Sequence, residues 1–117
     1  MKVVTLTKLE REPVAGALFT DGVERSAMFP TGDFTSGLIH FGAGSRNKFH
    51  THTSDQVLII TSGTGVVATD GEELTVNAGD VVLIPAGENH WHGAPGSTAM
   101  SHITIMGKGS QTTQNEA

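Results

Sequence analysis

The chain has 117 residues and no cysteine. That absence excludes disulfides, thiolate metal ligands, iron–sulfur clusters and cysteine nucleophiles. Basic residues are scarce too: 7 Lys and Arg stand against 12 Asp and Glu, a formal net charge of −5 with histidine neutral. The densest basic spot is the Arg46/Lys48 pair, far from the clustered positive stripe that nucleic acid requires, so a nucleic-acid partner is excluded. No apolar run comes near the roughly 20 residues of a membrane-spanning helix. With 37% hydrophobic residues, the composition is that of a soluble globular protein with room for one domain over 1–117. The opening MKVVTLTKLEREP holds too short an apolar stretch for a secretory leader, which predicts a cytoplasmic location. Helical periodicity is also missing, since apolar residues nowhere recur at that spacing over three turns.

What is abundant is glycine, 15 residues, and histidine, 6 residues. The glycines separate short β-branched runs, as tight turns between strands do. Strands are predicted at VVTLT (3–7), GVERSAMF (22–29), TSGLIHF (35–41), QVLIIT (56–61), DVVLI (80–84) and TAMSHITIM (98–106). The nearly continuous apolar run at 56–61 fits a strand buried on both faces. GVVATDGEELTV (65–76) reads as a hairpin turning at Asp70–Gly71. So many short strands at close spacing predict an all-β sandwich or barrel. Residues 1–16 read as an N-terminal strand and arm, and the polar segment 107–117 as a frayed tail.

Five of the six histidines lie between positions 50 and 102. His50 and His52 are two apart, so on an extended strand both rings face one way. Two imidazoles placed together are half of a first-row metal site, and equally they are what the polar face of an exposed strand would show. Gln56 starts the next strand, and its amide oxygen can coordinate but cannot carry charge. Leu58 and Ile60 share its parity and would line an apolar pocket beside it. His90 follows the rigid turn Pro85-Ala86-Gly87, which could swing it back toward the pair.

The surrounding spacing adds weight to the metal reading. From Gly44 the chain runs five residues to His50, one to His52, three to Gln56 and six to Gly63. From Gly79 it runs five to Pro85, then through Ala86 and Gly87 to His90. This resembles the two signature motifs of the cupin superfamily, G-x5-H-x-H-x3-E-x6-G and G-x5-P-x-G-x2-H-x3-N. Gln56 stands where the first motif has glutamate, and Ala94 where the second has asparagine. The resemblance implies a small jelly-roll β-barrel with a metal inside it. Carried over by position, the ligands are His50, His52, Gln56 and His90; the alternative is a cupin whose histidines are satisfied by hydrogen bonds alone. More narrowly, HTHTSDQVLIITSGTG and AGENHWHGAPGSTAMSHITI look like the small cupins that act as manganese-dependent hydroxynitrile lyases, which share the neutral fourth ligand. The resemblance implies a histidine near the metal as catalytic base on the final strand, here His102 in Met100-Ser101-His102. It also implies a homodimer, with VVTLT as the segment to pair or exchange.

Three neutral histidines and a carboxylate leave a bound dication at about +1, whereas three histidines and Gln56 leave it at about +2. Metal affinity should fall and Lewis acidity rise. Imidazole and amide donors suit Mn²⁺, Fe²⁺, Zn²⁺ or Ni²⁺, with Mn²⁺ favoured by the resemblance. The expected activity is therefore metal-assisted proton transfer on a small oxygenated substrate, of the hydroxynitrile-lyase kind. An iron-dependent dioxygenase and a non-catalytic metal- or ligand-binding module are the alternatives. His102 either faces the metal as a general base or lies on the outer face, and it shares its face with Met100, Thr104 and Met106. His92 would be a partner of the site or an outward-facing residue. Trp91 belongs to core or interface, and His40 has no assigned role.

Overall fold

One strand, the 14-residue β6 (Gln56–Thr69), joins two antiparallel sheets in a computed structural model that describes residues 1–117. Before it come β1 (Glu12–Pro13), β2 (Val23–Ala27), β3 (Phe34–Phe41), β4 (Ser45–Arg46) and β5 (His50–His52). After it come β7 (Glu73–Asn77), β8 (Val81–Ile84), β9 (His90–Ala94), β10 (Met100–Gly107) and β11 (Thr112–Gln114). The first half of β6 pairs with β8 and β10, and that sheet continues through β3, β2 and β1. The second half pairs with β7 and β9, and that sheet continues through β5 to β11, with β4 also on β9. Two sheets curled over one interior, sharing a strand, make the jelly-roll barrel. No helix is long and apolar enough to cross a membrane.

The crossing happens at Gly63, where φ is +75°. A Cβ there would lie 1.9 Å from the carbonyl oxygen of Ala99, so only glycine lets β6 pass the end of β10 this closely. The sequence split this element into a strand and a hairpin arm; the structure runs it through, because the glycines at the crossing bend the strand without ending its pairing. The hairpin itself is as expected: Thr69 N–H donates to Glu72 O at 2.9 Å around Asp70–Gly71, and Ala68 pairs with Glu73.

The two faces of β6 differ. Leu58 and Ile60 point inward and are 0% and 2% exposed, whereas Val57 and Ile59 are only half-buried. The run is therefore sealed on its inner face alone. Leu58 and Ile60 join Val23, Ile39, Phe41 and Met100 in the apolar core, where burying each large side chain contributes about 1.5–3 kcal/mol. They are core residues rather than walls of the cavity described below. That end of the interior is already filled, and the space lies at the Gln56 end.

Both chain ends depart from expectation. Residues 3–7 form no strand, and a short 3₁₀ turn (Leu6–Lys8) lies there instead; the sheet edge is taken by β1, which pairs with β2 through Glu12 and Pro13. The polar tail does not fray. Its β11 pairs with β5, aligning Thr112 with His52 and Gln114 with His50. Beyond it, Glu116 accepts hydrogen bonds from Phe49 N–H at 2.9 Å and Arg46 Nη2 at 2.6 Å. The Phe49 amide, followed by Arg46, holds the Glu116 carboxyl below the usual carboxylate range. The tail has almost nothing to bury, so apolar patterning misses it; its order comes from backbone pairing and one anchored carboxylate.

Candidate metal centre

The interior face of β5, the first residue of β6 and the first residue of β9 meet at one end of the barrel. Backbone pairing sets His50 opposite His90, and the two-residue repeat of the strand brings His52 to the same side as His50. The ligand atoms of His50, His52 and His90 lie within 4.8 Å of one another, and all three residues are buried. His50 and His52 border a cavity of about 250 Å³ that also meets Gln56, His92, His102 and Thr104, and His90 stands behind them.

Outer hydrogen bonds decide which nitrogen each ring presents. His50 Nδ1–H donates to Lys48 O at 2.5 Å, and His90 Nδ1–H donates to Glu88 O at 2.8 Å. A carbonyl only accepts, so both Nδ1 atoms carry the hydrogen and both Nε2 atoms present lone pairs inward. His52 Nδ1 meets Thr112 Oγ1 of β11 at 2.8 Å, while its Nε2 is buried with no partner. Gln56 Nε2 donates to Thr104 Oγ1 at 2.8 Å, which turns Oε1 toward His90 Nε2, 3.1 Å away.

That last contact sets two lone pairs face to face. His90 is neutral, since burial lowers its pKa, and its one hydrogen is on Nδ1. In this orientation Gln56 Oε1 and His90 Nε2 are two acceptors converging on one position. Facing acceptors, together with the orphaned Nε2 of His52, fit a divalent cation among imidazole and amide donors. Burial, ahead of all other causes, pushes His50 and His52 down to about 4. Near neutral pH these donors are already free of protons, and metal binding has none to displace.

A second pair of histidines lines the same cavity. His92 and His102 are 3% and 0% exposed, and His102 Nε2 lies 2.9 Å from His92 Nδ1. Asn47 orders this pair. Its Oδ1 accepts the backbone N–H of His92 at 2.8 Å, which turns Nδ2 toward the ring, 3.2 Å from His92 Nε2. Hence Asn47 donates to Nε2, His92 donates from Nδ1 to His102 Nε2, and the hydrogen of His102 is on Nδ1, which has no partner. Burial first, then mutual repulsion, keeps His92 neutral, and burial pushes His102 down to about 4.

His102 thus faces the interior, together with Met100 in the core and Thr104 and Met106 on the cavity wall, as one parity set. His92 faces inward as well. Trp91 is buried, with the Arg46 guanidinium 4.6 Å above its ring. His40 lies on the outer face of β3, between Ser26 Oγ at 3.1 Å and Ser101 Oγ at 2.9 Å. Asn47 and Thr112 carry no signal in the sequence, because each acts through a partner distant along the chain. Thr104 does carry one: it shares parity with His102.

Comparison with known proteins agrees with this geometry. Residues 37–106 match the Cupin domain family. The chain is 37% identical over 92 residues to (R)-mandelonitrile lyase from Granulicella tundricola, spanning 75% of this chain and 70% of that one. A shorter stretch, 43% identical over 49 residues, is shared with acireductone dioxygenase from Leptospira biflexa, of which it spans only 28%. A cupin-like protein from Thermotoga maritima superimposes with a TM-score of 0.86 at 27% identity, over 94% of this chain and 89% of its own. The polyketide cyclase RemF from Streptomyces resistomycificus superimposes with a TM-score of 0.89 over 100% of this chain and 87% of its own; at 14% identity that is a likeness of fold alone. The family match runs from within β3 to the end of β10 and so contains every histidine that converges inside the barrel: the chain belongs to the cupin family.

Proposed function

We propose that this cupin is a metal-dependent enzyme, with manganese favoured, acting on a small hydroxylated compound by proton transfer in the manner of a hydroxynitrile lyase. The observation that carries the reading is the meeting of unprotonated donors, His50, His52, His90 and Gln56 Oε1, beside a neutral interior histidine, His102. A bound divalent cation supplies Lewis acidity toward the substrate oxygen. His102 takes the hydroxyl proton at Nε2, the atom His92 otherwise occupies, as the bond between the two rings opens. The electrons of the O–H bond become the second bond of a carbonyl, the carbon–carbon bond to the nitrile breaks, and cyanide leaves to be protonated. Asn47 keeps His92 in place and holds its Nδ1–H toward the vacated position. The shared family and the 37% identity to a mandelonitrile lyase support this reading.

His102→Ala tests it. Elemental analysis should find the same metal content as in the wild type, while cleavage of (R)-mandelonitrile falls by about 100-fold or more, the scale of a lost general base. Loss of the metal in this variant would contradict the role given to His102. Thr112→Val tests the support beneath the ligands: without the hydroxyl on His52 Nδ1, metal affinity should drop by about tenfold, as for partners that orient a ligand ring. Metal titration monitored by tryptophan fluorescence or calorimetry reads this directly, and unchanged affinity would remove β11 from the site. The second reading, dioxygen chemistry with Fe²⁺, draws on the stretch shared with acireductone dioxygenase. Elemental analysis of protein purified without chelator, with oxygen uptake as the assay, separates the two.

A further inference from the structure

The metal reading uses one end of the cavity and leaves the other unexplained. Sixteen residues line this space, and Arg25 is the only charged one among them. Arg25 is on β2 opposite Ile39 of β3, and it shares parity with the core residue Val23. Its side chain is therefore on the inward face of the barrel, at the mouth. Position 37 of β3 makes room for it, since a Cβ on Gly37 would stand 3.2 Å from Arg25 Nε and 3.5 Å from Nη2.

Arg25 is exposed at the mouth of the cavity and makes no ion pair. The ion pairs of the chain are Arg11–Glu24 and Arg46–Glu116. Glu12 is the cross-strand neighbour of Arg25 but makes no ion pair with it. No carboxylate lines the cavity, although acidic residues outnumber basic ones in the chain as a whole, 12 to 7. With neutral histidines and an uncharged Gln56, a bound dication would add to the positive charge rather than balance it. The apolar part of the lining comes from Val14, Leu18, Phe19, Ile39 and Met106.

We propose that Arg25 is a specificity-determining residue that pairs with a carboxylate, so that the natural substrate is a small organic acid bearing a hydroxyl or carbonyl rather than a neutral cyanohydrin. The guanidinium fork matches a carboxylate in two parallel hydrogen bonds. The apolar body of the acid fills the waist of the cavity, and its oxygen-bearing carbon reaches the histidine cluster. This placement of the oxygen rests on the metal reading above; the carboxylate preference does not.

Calorimetric titration with mandelate and with mandelamide isolates that preference, because the two differ in the charged group and share the rest of the skeleton. Wild-type protein should bind mandelate about tenfold or more tighter than mandelamide, a difference of about 1.4 kcal/mol. In Arg25→Gln that ratio should fall to about one, with mandelamide affinity and metal content unchanged, and Arg25→Lys should recover part of it. Because Arg25 is exposed, these variants should fold. A wild type without preference overturns the proposal, and so does a ratio that survives in Arg25→Gln, which would make the preference the metal's own. Each titration is run on the metal-loaded and the chelator-treated protein. Absence of metal uptake then counts against the metal reading, while Arg25 stands or falls on the ratio.

Discussion

Replacing His50 by alanine is expected to lower bound divalent metal from about one ion per chain to less than about a tenth, because the site loses one of its three ring nitrogens. Thermal unfolding checks this without any activity assay. A ligand that binds only the folded chain, at about 100 times its Kd, stabilises it by about 2.7 kcal/mol, which for a chain of this size raises Tm by about 10 °C. That increment should vanish in His50→Ala. The partner experiment is Gln56→Glu, which puts a charged donor where the amide oxygen now points at His90 from 3.1 Å. Thr104 still has a hydroxyl to offer the new carboxylate, so the fold should tolerate the change. Metal affinity should rise by about tenfold or more as the net charge of the centre drops from about +2 to about +1, and turnover should fall with the Lewis acidity. An unchanged metal content in His50→Ala would sink the site; unchanged turnover in Gln56→Glu would sink the catalytic use of it.

Acid should unfold the metal-free protein over a window that the histidines define. His50 and His102 are 1% and 0% exposed, and burial pushes each down to about 4 from 6.5. A depressed histidine pKa means that the unfolded chain binds protons more readily than the folded one. The associated stability is complete above pH 6.5 and is lost as pH falls toward about 4. Each such histidine is worth on the order of 3 kcal/mol across that window. His52, also lowered to about 4, and His90 and His92, lowered by the same cause, add to the effect. The sum rivals the 5–15 kcal/mol of a typical domain. Urea denaturation in the presence of chelator should therefore give a much lower midpoint at pH 5 than at pH 7. Glu116 acts in the opposite half of the range, since its depressed carboxyl loses its contribution only as pH falls through the carboxylate values. Equal midpoints at pH 5 and pH 7 would show that the interior holds its histidines without cost.

The residues that mislead a linear reading are those the site requires. HWHGA (90–94) gives no strand signal, with two polar rings, a glycine and no β-branched residue, yet every position of β9 is buried. Alternation predicts strands when one face is apolar and the other wet. In β9 the inward positions carry histidine, whose rings are held by Glu88 O, Asn47 and His102 while His90 Nε2 faces the Gln56 oxygen. The tail fails for the converse reason, as its order comes from pairing with β5 and from Glu116, with no apolar content to read. Parity places Leu58 and Ile60 on the inward face, where the structure also has them, but they sit in the core and not on the cavity wall, because parity says nothing of depth along the barrel.

Short strands separated by glycine turns are enough to indicate an all-β sandwich or barrel, and the match of glycine, histidine and proline positions to the cupin motifs narrows that to the jelly roll. The ligand set His50, His52, Gln56 and His90 comes from the resemblance to the cupin motifs; the strand's period alone puts only His50 and His52 on one face. Which atoms they present could not be decided along the chain. The carbonyls of Lys48 and Glu88 choose the ring nitrogens, Thr104 turns the amide, and Asn47 orders the His92–His102 pair. Of these, Thr104 and Asn47 lie more than forty positions from the groups they orient. Arg25 is the same case on a larger scale: its charge is plain in the sequence, but its inward position and its want of a partner exist only once β2, β3 and the cavity are brought together.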